Sequence, residues 1–549
     1  MNLSRIKRWI LLGHRWLGIG TCLLFFLWFL SGVVMMYVGH PKLTWQERLE
    51  HLPPLEASQP LLSPADAFQQ AGIQGTVTDL RLANARAGQP VYIAQIRPDA
   101  RPAPDAPRPE PRLLALDART GALLPPTDPA TALASAQVYL EQGGLSHPSS
   151  SSTLPASGPR QPSTAPGAPG KPLYQGITVE DAHTHSAAMD LHRPLHKVLL
   201  PDADQTLLYI SGTTGEVVRD APRLERGFNY LGAWLHWLYL FRDTAIDWTD
   251  LIIWLSVIGT VATLSGFLAG IIRWRFSRPY RSGSRSPFAP GALRWHHILG
   301  LVFALTTFTW IFSGLMSMNP WDIFEADESI IDARRISNPD IQPSRAIATP
   351  QALLASTTTP VRELQWHTLL DKARVKAIRT HDVPPGSADQ PVLLSARTGK
   401  PYNLEPERLR SALFTLQAGY PPRIDILRQD DFYYYSRTEH TMTGGRKPHP
   451  LPIWRVRYDD PNQTWLHIDP ATGQVLSELD SYQRTERWLF ALLHSWDWLP
   501  LLQNRPLWDI VMLVLAAGGL ALSATGIWIA GHRLHIKTRR WRLLRRKAR

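Results

Sequence analysis

The sequence predicts a membrane α-helical protein with four transmembrane helices in two tandem repeats, carrying α+β units outside the bilayer. Two observations lead there. Four runs free of charge, 17–38, 251–272, 298–318 and 510–531, are each 21 or 22 residues long, enough to cross a hydrocarbon core of about 30 Å at about 1.5 Å of rise per residue. The chain also repeats itself, and a repeat is best recognised before any element is read alone. His14, Gly18, Trp28, Ser31, Gly32 and Met36 return 282 residues later as His296, Gly300, Trp310, Ser313, Gly314 and Met318. A second, ungapped match relates 196–236 to 454–494 at an offset of 258, carrying Arg226 onto Arg484 and His236 onto His494. Two halves of one unit follow, 1–282 and 283–549. A Pro/Ser/Gly-rich linker at 147–172 accounts for the extra residues of the first half.

From the N-terminus the expected order is a cytoplasmic segment (1–8), a helix (9–38), an external region (39–226) and an interfacial helix (227–250). A helix (251–272), a cytoplasmic loop (273–294) and a third helix (295–318) come next. A second external region (319–487), a second interfacial helix (488–509), a fourth helix (510–531) and a basic cytoplasmic tail (532–549) complete the chain. The first helix is read as an uncleaved anchor, because its apolar run is too long for a signal peptide and no small-residue cleavage site follows Met36.

The formal charge of +12 is distributed as membrane topology requires. Residues 1–8, 273–294 and 532–549 hold 18 of the 58 Lys and Arg and no Asp or Glu, so the rest of the chain is acidic by six. Short basic segments beside spans stay in the cytoplasm. Both termini and the 273–294 loop are therefore expected inside a bacterial cell, the spans in its inner membrane and the two long segments in the periplasm. A basic excess confined to these segments points to the lipid bilayer as partner and not to nucleic acid. Cys22, the single cysteine, lies inside the first helix. The external regions then have no disulfides, and covalent haem attachment through Cys-x-x-Cys-His is excluded.

Helical periodicity at 63–71, 131–141 and 405–417 precedes alternating apolar strands, the pattern of small α+β units. The strands end in a recurring turn, Thr120-Gly121, Thr214-Gly215, Thr398-Gly399 and Thr472-Gly473, where glycine supplies the positive φ a tight turn needs. The last of these, within Thr-Trp-Leu-His-Ile-Asp-Pro-Ala-Thr-Gly-Gln-Val-Leu at 464–476, resembles a PepSY domain. His14-Arg15-Trp16-Leu17-Gly18 opening a helix, with Leu235-His236 and Leu493-His494 ahead of helices ending in Ser265-Gly266 and Thr525-Gly526, resembles the PepSY-associated transmembrane family. The resemblance covers nearly the whole chain. That family includes iron-regulated inner-membrane proteins and siderophore reductases, which implies a haem-bearing four-helix core under periplasmic PepSY domains. A long external insertion in both halves departs from the smaller reductases, so their substrate does not carry over.

The residues give their own argument for haem. An ionisable side chain within a spanning helix costs energy and is by default a functional hypothesis. His14 and His296 occupy matching positions at the cytoplasmic ends of the first and third helices, related by an axis along the membrane normal. Facing each other, they would fill both axial positions of one haem iron. His236 and His494 repeat the arrangement near the external leaflet, giving a second b-type haem and a route for electrons across the bilayer. His297 competes with His296, and His40 and His532 are weaker candidates at other helix ends. Met36 and Met318 read as packing residues rather than thioether ligands. The Ser-Gly and Thr-Gly pairs serve either close helix packing or room for a flat macrocycle.

Outside the spans, His183, His185, His192 and His196, with Asp181 and Asp190 nearby, form a histidine-rich run whose spacing suits either a transition metal or a solvated loop. No Gly-x-Gly-x-x-Gly after a strand, P-loop, His-Glu-x-x-His or Gly-x-Ser-x-Gly occurs, so electrons must come from an external cytoplasmic donor. Two functions are compatible with these features. One is a haem-dependent reductase passing electrons to a periplasmic ferric siderophore or other metal chelate. The other is a non-redox membrane protein whose PepSY domains bind or regulate a periplasmic peptide, peptidase or transport partner.

Overall fold

The computed structural model describes residues 3–73, 75–97, 111–145, 170–242, 244, 246–326, 329–379, 392–435 and 449–547. Most of the linker expected at 147–172 lies outside them. Three helices, Leu3–Tyr37, Trp248–Arg273 and Leu507–Lys547, are long and apolar enough to cross a membrane. The second opens on Asp247, whose side chain accepts from the Asp250 backbone N–H, as an N-cap should.

The single helix expected at 295–318 is broken. It consists of Ala292–Val302 and Ala304–Met316, bent by 67°, and counts as a fourth crossing only if the pair is one span. The break falls at Phe303 (φ −103°, ψ 9°). Its ring lies against Gly518 of the last helix, where a Cβ would overlap it. Thr306, Thr307 and Thr309 follow, and β-branched hydroxyl residues both stiffen χ1 and compete for backbone carbonyls, as Thr309 Oγ1 does by donating to Thr306 O at 3.0 Å. A wedged side chain is a recognised cause of a kink. Thr21, the residue 282 positions earlier, is small, and the first helix runs through it unbroken.

The first helix packs on the second and the last, and the bent pair packs on the same two, closing a four-membered bundle. Phe25, Phe29, Ala262 and Ile311 form its buried centre.

Outside the bundle, two three-stranded units join edge to edge in one antiparallel sheet. Its order is Val392–Ser395, Lys372–Ile378, Glu363–Leu369, Thr76–Arg86, Gln89–Arg97 and Arg112–Asp117, with Ser337–Asn338 paired to Glu363–Leu369. The seam registers Leu80 with Trp366 and Leu82 with Leu364. Two short helices, Pro64–Gln70 and Pro350–Leu354, cover it; each has Pro at its start and a Ser63 or Thr349 cap. Their Phe68, Leu353 and Leu354 share one core with Leu80, Leu82, Tyr92, Leu364 and Trp366.

Each half then adds a four-stranded antiparallel meander. One comprises Leu173–Thr178, Leu195–Leu199, Leu207–Ser211 and Val217–Ala221; the other comprises Arg423–Leu427, Ile453–Arg457, Trp465–Ile468 and Val475–Leu479. The four Thr-Gly turns fold alike, with φ of 71°, 77°, 71° and 71° at Gly121, Gly215, Gly399 and Gly473.

A buried ion network ties these pieces together. Arg81 Nη2 donates to Glu216 Oε1 at 2.6 Å, and its Nη1 lies 3.7 Å from Glu363 Oε2. Arg48 grips Glu363 with two hydrogen bonds of 2.7 and 3.0 Å. Burial alone would push the Glu216 carboxyl up, but the Arg81 guanidinium outweighs it and holds the pKa at about 2.

Candidate functional site

His14 and His296 face each other inside the bundle, ring centres 6.2 Å apart and planes 25° from parallel. They stand in a cavity of about 250 Å³ that Phe25, Gly18, Gly266, Gly300 and Gly526 also line. His14 Nδ1 lies 3.4 Å from Ala262 O, a carbonyl that only accepts. His296 Nδ1 lies 3.1 Å from Thr525 Oγ1, whose own proton goes to Leu522 O at 2.7 Å. Both bonds put the imidazole proton on Nδ1.

The outer pair is built differently. The interfacial helices expected at 227–250 and 488–509 are not continuous. Instead, Arg223–Asn229 runs into a π-helical turn at Tyr230–Trp234, and Ser481–Glu486 into one at Arg487–Leu492. His236 and His494 follow these turns. Two residues beyond each, Leu238 and Trp496 take left-handed conformations with φ of 52° and 48°. Bulky residues rarely adopt that region, and such strain persists only where the surroundings enforce it. Here the enforcement is visible: Trp28 Nε1 donates to His236 O at 3.0 Å, Trp248 Nε1 to Trp237 O at 2.7 Å, and Trp508 Nε1 to Ser495 O and Trp496 O at 3.1 Å.

The result sets His236 and His494 6.1 Å apart with planes at 77°. Ser31 Oγ donates to Leu27 O at 2.7 Å and meets His236 Nδ1 at 3.0 Å. Ser313 Oγ donates to Trp310 O at 3.1 Å and meets His494 Nδ1 at 3.0 Å. With their protons committed, both hydroxyls accept from Nδ1–H. All four rings therefore anchor through Nδ1 and leave Nε2 to another partner.

This geometry fits an axially ligated metal between each pair. With a metal–nitrogen bond of about 2 Å, two rings on opposite sides of one iron have centres about 6 Å apart, as both pairs do. A ligating histidine commonly donates its second ring nitrogen to an outer partner that fixes tautomer and orientation. The cavity beside His14 and His296 has the glycines and apolar walls that a flat macrocycle needs. His14 and Ser31 are 17 positions apart on one helix, so at about 1.5 Å per residue the pairs lie at levels about 25 Å apart.

The other histidines fall elsewhere. His297 is buried with both nitrogens engaged, Nδ1 with Ser286 Oγ at 2.8 Å and Nε2 with Gly270 O at 3.0 Å, so His296 is the ring that faces His14. His40 is held by Asn229 at 2.8 Å and Arg219 at 3.0 Å, and burial lowers its pKa to about 4. His532 is exposed. The run His183, His185, His192 and His196 is not assembled into a site: Asn229, Glu180, Ser211 and Tyr174 are their separate partners. Among the described residues no group of three or more His, Cys, Asp or Glu could hold a metal ion. The strand and turns of that segment send its side chains in different directions. Met36 packs with Trp508 and Met512, and Met318 against the cluster of Ile253, Leu315, Met316 and Phe324.

Sequence reasoning passed over the serine hydroxyls, read only as small residues, and the left-handed Leu238 and Trp496. The signal for the serines was their recurrence at one offset with histidines recurring at another.

The family described as PepSY-associated TM region matches residues 11–416 of the chain. No curated protein matches it.

Proposed function

The chain belongs to the PepSY-associated TM family and is a multi-pass membrane protein, and on that premise we propose that it is a di-haem b-type electron-transfer protein of the bacterial inner membrane. The observation that carries the reading is the spacing of the two histidine pairs, 6.2 and 6.1 Å, with every Nδ1 anchored. His14 and His296 hold the haem nearer the cytoplasm, and His236 and His494 the haem nearer the periplasm. In this reading the bent pair is one of four spans, the halves are copies of one unit, and the termini and the 273–294 loop are cytoplasmic.

Bound haem supplies a reversible one-electron carrier. His14, His296, His236 and His494 would hold it, their rings fixed by the Nδ1 bonds, the apolar walls at the inner pair would exclude water, and these groups would tune its potential. Because the chain carries none of the common nicotinamide or nucleotide motifs, the electron enters from an external cytoplasmic donor. The acceptor is a periplasmic ferric siderophore or other metal chelate. One electron converts ferric to ferrous iron, which hard oxygen ligands hold less tightly, and the metal is released.

The test is a dithionite-reduced minus oxidised spectrum of the detergent-purified full chain with haem per chain quantified. Two haems in the wild type, with a different one missing in His14→Ala and His236→Ala, are expected. Absence of Soret absorption from protein made with ample haem would overturn the proposal and leave an anchored PepSY protein that binds a periplasmic partner.

A further inference from the structure

The two histidine pairs share one spacing but not one orientation, 25° in the inner pair and 77° in the outer. The two pairs also differ in what anchors each ring. The inner anchors, Ala262 O and the Leu522 O and Thr525 Oγ1 pair, belong to the second and last helices. The outer anchors are Ser31 and Ser313 on the first helix and the bent pair, while the rings themselves ride on the π-helical turns.

Ring orientation matters to an axially bound iron. An imidazole donates π-electron density into the iron d orbital perpendicular to its own plane. Two parallel rings feed the same orbital, raise it above its partner and favour the ferric hole. Two crossed rings feed both orbitals, leave them nearly equal and remove that preference for the ferric state.

We propose that Ser31 and Ser313 are positioning residues that hold His236 and His494 crossed, making the outer site the stronger electron acceptor and directing electrons from the His14–His296 pair outward. The inference rests on the di-haem reading and adds to it the residues that bias the electrons outward. Electron balance is simple: the inner iron is oxidised by one electron as the outer iron is reduced by one, and no proton moves.

The experiment is electron paramagnetic resonance of the oxidised full-length protein, with a potentiometric titration of the same samples. Two low-spin signals of equal spin are expected. A rhombic one with three resolved g values is lost in His14→Ala, and a strongly anisotropic low-field one is lost in His236→Ala. The anisotropic species is expected to be reduced at the higher potential. In Ser31→Ala/Ser313→Ala that signal should change toward rhombic and its potential fall, and Ser31→Thr, which keeps the hydroxyl, should restore both. Two rhombic signals, an anisotropic signal that follows His14, or an inner site of higher potential would overturn the inference while leaving the di-haem reading intact. A serine variant that loses amplitude with unchanged line shape and potential would overturn the positioning role. Protein without haem would overturn both readings.

Discussion

Gly266 faces the His14 imidazole so closely that a Cβ placed on it would stand 2.7 Å from Cε1 and 3.0 Å from Nδ1. At its counterpart Gly526 a Cβ would stand 3.3 Å from Cys22 Cβ, a tight contact, and 3.5 Å from His296 Cε1, an ordinary one. The two glycines thus have different tolerances although they occupy comparable places. On the di-haem proposal, Gly266→Ala should displace the His14 ring and remove the inner haem, halving haem per chain, whereas Gly526→Ala, whose Cβ presses on Cys22 and not on His296, should keep both. Equal haem content in the two variants would contradict this.

His296 and His297 separate on hydrogen bonding. Because Ser286 and Gly270 already occupy both nitrogens of His297, on the di-haem proposal His297→Ala should retain two haems and lose stability by about 1–3 kcal/mol for the buried groups left unpaired. His296→Ala should lose one haem. Thermal unfolding and pyridine haemochrome assays of the two variants read this directly.

The Arg81–Glu216 pair predicts an acid limb in the stability of the extramembrane sheet. The Glu216 carboxyl sits at about 2 in the fold, against an ordinary value of 4.5. A depressed carboxyl stabilises fully above its unfolded pKa and loses that contribution as pH falls through the folded one. At about 1.4 kcal/mol per unit, the loss between pH 4.5 and 2 is on the order of 3 kcal/mol. Chemical denaturation followed by tryptophan fluorescence should show this slope in the wild type and a flatter one in Glu216→Gln.

Asp497 is fully buried and receives Arg487 Nη1 at 2.6 Å and the Tyr435 hydroxyl. Removing one partner of a buried pair costs about 3–5 kcal/mol. Asp497→Ala should therefore destabilise the turn after His494 and, on the di-haem proposal, release the outer haem while the inner one stays. Hydrogen exchange should quicken at 487–497 and not in the first helix.

The sequence made three long apolar helices and the turns legible because each rests on local chemistry. Apolar length gives a crossing, and Thr-Gly gives the positive φ found at all four turn glycines. The repeat offsets also singled out His14, His296, His236 and His494, the four rings that meet in two pairs. What stayed hidden depends on distant partners. The helix breaks at Phe303, whose ring lies against Gly518 of the last helix, and no residue near 303 announces that. The choice between His296 and His297 turns on Ser286 and Gly270. His183, His185, His192 and His196 look clustered in the sequence, yet each turns to a different partner.

The seam between Thr76–Arg86 and Glu363–Leu369 sets a timetable for the newly made chain. The first strand leaves the ribosome about 280 residues ahead of its partner, and at about 5–20 residues per second that is a wait of roughly 15–60 s. Until then one sheet edge has no neighbour, and His14 and His236 stand without the rings they will face. An unpaired edge invites pairing with other chains. The half-made chain therefore carries an open sheet edge for as long as the second half is still being synthesised.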